Sequence, residues 1–170
     1  IIGFGRIGRR TAVIAEALGM KVLAYDPYVK ELPEEFQSYV TLCGENEVIS
    51  GCDFLSLHLP LNDETRNMIS APQLASMKAG AYVINAARGG IVNEKDLYEA
   101  LVSGHIAGAA MDVSEVEPMA KENPLRTLDN VIITPHIGMY SKEAIGAVSL
   151  ICAQNVAACA AGAELKFQVV

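Results

Sequence analysis

The first residues with a spacing suited to chemistry are three glycines close to the start of the chain. Gly3, Gly5 and Gly8 lie in the stretch "IIGFGRIG", which matches the pattern G-x-G-x-x-G. In such a loop the first glycine allows a tight turn, the second lets the backbone approach a pyrophosphate, and the third allows a helix to pack closely on a strand. The helix that follows presents its free N–H groups to the phosphates. The pattern alone is a weak signal, so its context decides whether it predicts a dinucleotide site.

An acidic residue at the expected distance strengthens this interpretation. Asp26 follows the apolar run "KVLAY", where a carboxylate would accept hydrogen bonds from the hydroxyls of an adenosine ribose. The same carboxylate would repel a 2'-phosphate, and neither Pro27 nor Tyr28 supplies a compensating cation. The sequence therefore predicts NAD rather than NADP as the ligand. The alternative is that Asp26 only starts a turn before Pro27.

Further polar residues come directly after apolar runs along the chain. They are His58 in "HLPL", Arg88 in "NAARGG", Asp112 and Glu117 in "DVSEVEP", and His136 in "TPHIG". Ligands of an open parallel sheet bind in the crevice beyond the carboxyl ends of its strands. Because these residues and the glycine loop all follow apolar runs, we expect them to line one cleft.

Each of these residues also has a purely structural alternative. Arg88 could cap or bridge surface loops, Glu117 could be an ordinary turn residue before Pro118, and His136 could be a core histidine. His105 precedes its apolar run, at the opposite end of the predicted sheet, and we expect it to be structural.

The elements that would position these residues follow from the period of the apolar residues. Short runs rich in Val and Ile alternate with helical segments, which is typical of a parallel sheet covered by helices. We expect the strands to be buried on both faces. The predicted strands are "KVLAY", "YVTL", "DFLSLH", "AYVINA", "HIAGAAMDV" and "NVIITP". The pattern predicts an α/β fold with a Rossmann-type, doubly wound parallel sheet.

Capping signals mark three of the helices. The first helix should close at Gly19, and the segment "IVNEKDLYEALVSG" should begin at an Asn93 cap and end at Gly104. A long final helix should begin near Ser141, with Glu143 in its first turn. The segments "PEEF" and "ENEVI" suggest shorter helices.

Composition excludes several classes of function. The chain has 170 residues, 51% of them hydrophobic, and a net charge of -7 without a basic stripe, which argues against nucleic-acid binding. No histidine and cysteine cluster has the spacing of a metal site, and the four cysteines predict free thiols in the cytoplasm. Residues 144–163 carry no charge, but Gln154 and Asn155 at their centre favour a buried helix of a soluble protein over a membrane span.

These motifs, in this order and spacing, resemble the D-isomer-specific 2-hydroxyacid dehydrogenases, in particular the phosphoglycerate-dehydrogenase-like branch. The resemblance rests on "GFGRIG", Asp26, "HLPL", "NAARGGIVNEKDLYEAL", "GAAMDVSEVEP" and "NVIITPHIG", and it covers essentially the whole chain. One departure is Ser114, where the family usually has an aromatic residue. This difference removes no catalytic group.

The resemblance implies hydride transfer between NADH and the C2 carbonyl of a 2-oxo acid, or the reverse oxidation. By matching position, Arg88 would bind the substrate carboxylate and polarise the carbonyl, and His136 would exchange the hydroxyl proton. Glu117 would hydrogen-bond His136 and raise its pKa. The implied cofactor contacts are Gly3, Gly5, Arg6, Ile7, Gly8, Asp26, Leu59, Pro60, Ala86, Ala87, Arg88, Asp112, His136 and Gly138.

The resemblance also carries expectations about the whole protein. We expect residues 1–170 to be an NAD-binding domain whose first strand is cut short at Ile1, with the substrate-binding domain missing. Such a fragment should bind NADH with little or no turnover. Family members are commonly homodimers, so a homodimer is expected. Two rival functions remain open: an NAD(H)-sensing corepressor-like protein with the same motifs, and a hydrolase that uses tightly bound NAD.

Overall fold

The computed structural model describes residues 1–165 and divides into two compact units. The first unit is Ile1–Pro135, and the second begins at His136. The first unit contains α1 (Arg6–Ala17), β1 (Val22–Ala24), β2 (Val40–Leu42), α2 (Glu45–Gly51), β3 (Phe54–Leu57), α3 (Ala71–Ser76), β4 (Ala81–Asn85), α4 (Glu94–Val102), β5 (Ile106–Met111) and β6 (Val131–Ile133). Short 3₁₀ turns lie at Glu34–Phe36 and Pro124–Thr127.

All the strands of the first unit are parallel. β1 pairs with β2, and β3 to β6 pair in sequence order. Ile2 joins the two groups, because it forms parallel bridges to Tyr25 on one side and Leu57 on the other. The strand order therefore reverses direction on either side of Ile2, which confirms the predicted doubly wound, Rossmann-type sheet.

The burial of the strands differs from the prediction that both faces are covered. Leu55, Leu57 and Val83 are fully buried in the main core. Phe54 and Tyr82, which point to the opposite face, are 46% and 42% exposed. The prediction of two buried faces was wrong for β3 and β4, because the core formed with α2, α3 and α4 contains only alternate residues of these strands.

The predicted helix ends are confirmed by their hydrogen bonds. α1 ends at Ala17 and is followed by Gly19 in the left-handed conformation. The Asn93 side chain accepts a hydrogen bond from the Asp96 N–H at 3.0 Å and caps α4. α3 was not predicted, although its start carries a capping-box pattern in which Ser70 donates its N–H to the side chain of Gln73, at 3.4 Å.

The second unit contains α5 (Lys142–Ala160), which begins at the predicted cap. The Ser141 hydroxyl accepts a hydrogen bond from the Ala144 N–H at 3.0 Å. The prediction that this helix is buried was wrong: none of its residues is buried, and Val156 is 66% exposed. Its apolar composition suggested burial, but within residues 136–165 no second helix or strand is present to cover it.

Among residues 1–165, α5 is also the helix long and apolar enough to cross a membrane, judged by length and composition only. Core helices of soluble proteins meet the same criterion, so it is weak evidence for a membrane span. All four cysteines are free thiols, as predicted.

Candidate functional site

The glycine loop connects the segment Ile1–Gly3 to α1, and two of its glycines lie very close to backbone carbonyl groups. Gly3 has a φ of +92°, and a Cβ atom there would lie 2.6 Å from the carbonyl oxygen of His58. A Cβ atom on Gly8 would lie 2.0 Å from the carbonyl oxygen of Gly3. No side chain can occupy either position without moving the backbone, so both glycines are required by the packing of the loop.

Gly5 differs from the other two glycines because nothing crowds it. A Cβ atom on Gly5 would have no neighbour within 4 Å, and the residue is exposed. Gly5 is also the N-cap of α1, which has no side-chain cap and no acidic residue in its first turn. The open space above Gly5, at the positive end of a twelve-residue helix, fits a pyrophosphate.

Asp26 ties the end of β1 to the glycine loop. Its Oδ2 accepts a hydrogen bond from the Phe4 N–H at 2.8 Å, and its Oδ1 accepts one from the Tyr28 N–H at 2.9 Å. The bond from Tyr28 forms the turn that is expected if Asp26 has only a structural role. The bond from Phe4 links Asp26 to the glycine loop. A carboxylate oxygen can accept more than one hydrogen bond, so both contacts are compatible with ribose binding.

The loop after β3 is held by its own side chains. The Thr65 hydroxyl donates to the Pro60 carbonyl at 2.7 Å, and the Asn62 carboxamide oxygen accepts the Thr65 N–H at 2.9 Å. His58 lies 2.9 Å from the Ser56 hydroxyl through its Nε2. Burial lowers the pKa of His58 to about 4, so this histidine is neutral at physiological pH and does not supply a charge to the cleft.

Arg88 lies in the loop after β4, and hydrogen bonds of the Asn85 side chain hold this loop in place. The Asn85 side chain is fully buried; its Nδ2 donates to the Arg88 carbonyl at 3.0 Å, and its Oδ1 accepts from the Ala87 N–H at 3.1 Å. Arg88 and Ala86 are exposed, and the Arg88 guanidinium donates to the Ala87 carbonyl at 2.6 Å. Asn85 was not predicted as a site residue; the signal that could have found it is an amide side chain at the end of an apolar run.

The loop after β5 packs directly on the Arg88 loop. A Cβ atom on Gly89 would lie 1.8 Å from the Ser114 carbonyl oxygen, and the Asp112 N–H donates to the Asn85 carbonyl at 2.9 Å. The Asp112 carboxylate accepts from the Thr134 hydroxyl at 2.5 Å. In the place where the family usually has an aromatic residue, Ser114 is buried and its N–H donates to the Glu117 carboxylate at 3.3 Å.

The comparisons with known proteins identify this arrangement. Residues 1–138 match the family described as D-isomer specific 2-hydroxyacid dehydrogenase, NAD binding domain. The chain belongs to this family. The D-3-phosphoglycerate dehydrogenase of Methanocaldococcus jannaschii is 46% identical over 156 residues, which cover 92% of this chain and 30% of that protein. The hydroxypyruvate reductase of Thermotoga maritima is 47% identical over 148 residues, which cover 85% of this chain and 46% of that protein.

A solved structure shows the same fold. The D-lactate dehydrogenase from Lactobacillus jensenii, with NAD⁺, superimposes with a TM-score of 0.88 at 35% identity, covering 99% of this chain and 54% of that one. The chain thus spans between about a third and a half of the length of these relatives. The predicted fold and the predicted NAD-binding domain of the 2-hydroxyacid dehydrogenases are confirmed.

Two of the predicted site residues of this family member, His136 and Gly138, lie in the second unit. His136 has a φ of +54°, an uncommon conformation for a residue other than glycine, and its side chain is exposed. The Tyr140 N–H donates to the Ile137 carbonyl at 2.8 Å, which closes a turn just before α5. The pairing of His136 with Glu117, and the individual roles of the site residues, stay predictions.

Two other expectations concern histidine and metal. His105 lies within 3.1 Å of the Met77 carbonyl through its Nε2, next to the start of β5 and away from the strand ends that carry the site. Among residues 1–165 no group of three or more histidine, cysteine or acidic residues has the arrangement of a metal site.

Proposed function

We propose that the protein interconverts a 2-hydroxy acid and its 2-oxo acid by hydride transfer with NAD(H). One observation carries the proposal: the glycine loop, Asp26, Arg88 and Glu117 all lie in loops that follow the carboxyl ends of parallel strands in one sheet, on both sides of its reversal point at Ile2. This edge is where open α/β sheets bind their ligands. A nucleotide-binding loop and an arginine that both follow the carboxyl ends of strands in one sheet suit the oxidation or reduction of a small organic acid.

The cofactor would lie across the glycine loop. The open position above Gly5 and the first turn of α1 would hold its pyrophosphate, and Asp26 would bind its adenosine ribose. Bound NADH supplies the hydride. The remaining contacts in the proposal are Gly3, Arg6, Ile7, Gly8, Leu59, Pro60, Ala86, Ala87, Asp112 and Gly138.

The charged residues divide the remaining work. Arg88 would bind the substrate carboxylate with its forked N–H groups and polarise the C2 carbonyl, since its guanidinium stays charged at every working pH. His136 would donate a proton to the carbonyl oxygen during reduction and accept it during oxidation. Glu117 would hydrogen-bond His136, which fixes the histidine tautomer and stabilises its protonated form.

The proposed substrate class is no narrower than a small 2-hydroxy or 2-oxo acid, with 3-phosphoglycerate among the candidates. The relatives at 46% and 47% identity carry the names of two different activities, D-3-phosphoglycerate dehydrogenase and hydroxypyruvate reductase. In the proposal, residues 1–170 form the cofactor-binding part, and the additional length of the relatives corresponds to a substrate-binding domain. The isolated 170-residue chain would then bind NADH with little turnover, because its cleft would be open to water.

The test is turnover of NADH by the whole protein with a panel of 2-oxo acids. We expect loss of NADH absorbance with at least one acid, and a fall of about 10²- to 10⁴-fold in kcat for His136→Ala. Tight NADH binding without turnover of any acid would overturn the proposal and favour the NAD(H)-sensing function. Hydride transfer that is unchanged in His136→Ala would overturn the mechanism assigned to His136.

We also propose that the protein is a cytoplasmic homodimer that binds neither nucleic acid nor membrane. The free cysteines and the acidic net charge of -7 support the compartment and the absence of nucleic-acid binding. The dimer rests on the family resemblance. Light scattering of the whole protein tests it, and a monomeric mass at micromolar concentration would refute it.

A further inference from the structure

We infer that Asn85 is a positioning residue that fixes the Arg88 guanidinium, an inference that rests on the proposed function. Asn85 is the last residue of β4 and its side chain has no exposed surface. A buried amide must find partners for both its oxygen and its nitrogen, because water cannot reach them. Both partners lie in the loop that carries Arg88.

Three hydrogen bonds close a ring around this loop. The Asn85 Oδ1 accepts from the Ala87 N–H at 3.1 Å, the Ala87 carbonyl accepts from the Arg88 Nη1 at 2.6 Å, and the Arg88 carbonyl accepts from the Asn85 Nδ2 at 3.0 Å. The ring gives a hydrogen-bond partner to the Ala87 N–H and to the carbonyl groups of Ala87 and Arg88. It also gives the guanidinium a fixed contact on the same loop.

Two contacts anchor the ring to the rest of the sheet. The Asn85 carbonyl accepts the Asp112 N–H at 2.9 Å, which links the ring to the loop after β5. Gly89 is pressed against the Ser114 carbonyl, so the far side of the Arg88 loop has no room to shift. Ala87 is itself 8% exposed, and loss of the Asn85 oxygen would leave its N–H buried without a partner.

The hydrogen bonds of Asn85 matter for the reaction because they set the position of the Arg88 guanidinium. A guanidinium that grips a carboxylate and polarises a carbonyl must present its two N–H groups at set positions. A displacement of about 1 Å in a reacting group can lower a rate by about 10²-fold. Asn85 touches neither substrate nor cofactor in this scheme and acts on the substrate through the loop that carries Arg88.

The experiment compares kcat/KM for a 2-oxo acid in the whole protein and in Asn85→Ala. We expect a fall on the order of 10²-fold. Asn130→Ala is the control, because the Asn130 side chain also donates to a backbone carbonyl, that of Ala107 at 3.0 Å. Asn130 directly precedes β6, so it lies at the amino ends of the strands, opposite the carboxyl ends that carry the candidate site. We expect this control to change kcat/KM by less than about twofold.

A double-mutant cycle separates positioning from support of the fold. If Asn85 acts through Arg88, then Asn85→Ala should change kcat/KM by less than about twofold in an Arg88→Ala background. An equal loss in both backgrounds would overturn the inference. If Asn85→Ala does not fold, Asn85→Ser, whose hydroxyl can serve one of the two backbone partners, is measured in the same cycle.

The outcomes also distinguish this inference from the proposed function. Absence of turnover in the unaltered protein, with any 2-oxo acid, would overturn both. Turnover that is lost in Arg88→Ala but retained in Asn85→Ala would overturn only the role of Asn85. The role of Asn85 alone would also be overturned if Asn85→Ala lowered kcat/KM by the same factor whether or not Arg88 is present.

Discussion

The three glycines of the loop make a sharp prediction, because the structure assigns them different reasons for lacking a side chain. Gly5 has open space where its Cβ would be, whereas the Cβ of Gly8 would lie 2.0 Å from the Gly3 carbonyl oxygen. We therefore expect Gly5→Ala to weaken NADH binding with little effect on the fold. Gly8→Ala should damage both.

The magnitudes follow from the contacts. Ala tolerates the extended conformation of Gly5, which has a φ of -75°, so the main cost to the fold is a poorer helix cap, below about 1 kcal/mol in the free energy of unfolding. The new methyl group would displace a pyrophosphate from at least one N–H donor. A hydrogen bond to a charged group contributes about 1.5–3 kcal/mol, which predicts a Kd for NADH that is raised about 10- to 150-fold.

For Gly8→Ala the backbone itself must move. The two atoms would have to separate by about 1 Å more to reach a contact that proteins tolerate, and overpacking of this kind typically costs 1–3 kcal/mol or more. The assays are urea unfolding for stability and the enhancement of NADH fluorescence for affinity. Gly146→Ala is the control, since Gly146 lies on exposed α5 with nothing near its Cβ position, and it should raise helix stability slightly.

Two results would refute this reasoning. A Kd for NADH that stays within about twofold in Gly5→Ala would show that the pyrophosphate does not lie above this residue. A Gly5→Ala variant that is as destabilised as Gly8→Ala would show that the Cβ position of Gly5 is crowded by neighbouring atoms and not open.

Three further predictions address the nucleotide preference, the fold and its pH dependence. Asp26→Asn keeps the shape of the side chain but removes its charge, so isothermal titration should show weaker NAD binding. The ratio of the NADP Kd to the NAD Kd should fall by about tenfold, and an unchanged ratio would contradict the role of Asp26 in binding the ribose. Asn93→Ala removes the cap of α4 and should lower the free energy of unfolding by about 1 kcal/mol in urea, while no change would mean that the cap is redundant. Burial lowers the pKa of His58 to about 4, below its unfolded value of about 6.5, so the unfolded chain binds more protons between these values and stability should fall as the pH drops through that window. His58→Gln should flatten this dependence, and an equally steep profile in the variant would exclude His58 as its source.

Much of the fold could be predicted because its signals are local. The Val- and Ile-rich runs, the Asn93 and Ser141 caps and the left-handed Gly19 each depend on a few neighbouring residues, and the structure confirms all of them. The α3 helix was missed despite a capping-box pattern at Ser70, because its six residues are too few to show a helical period.

Burial was the property that local pattern predicted poorly. The apolar α5 helix and the outer face of β3 and β4 both have compositions typical of covered surfaces, yet α5 has no buried residue and Phe54 is 46% exposed. Composition tells which residues gain from burial, but a residue is buried only where another element packs on it.

The candidate site, like the fold, was predicted in part from the sequence and decided in part by the tertiary structure. The residue types and their order along the chain, from the glycine loop through Asp26 and Arg88 to Glu117 and His136, were sufficient to predict the family and its cofactor. The tertiary structure alone decided that Asp26 hydrogen-bonds the glycine loop, that Asn85 closes a ring with Arg88, and that Gly89 meets Ser114. The physical reason is that the first and third of these contacts join residues more than 20 positions apart, so their distances are set by strand register and loop packing. The Asn85 ring is local in sequence, but the full burial of Asn85 that requires it is a property of the folded core.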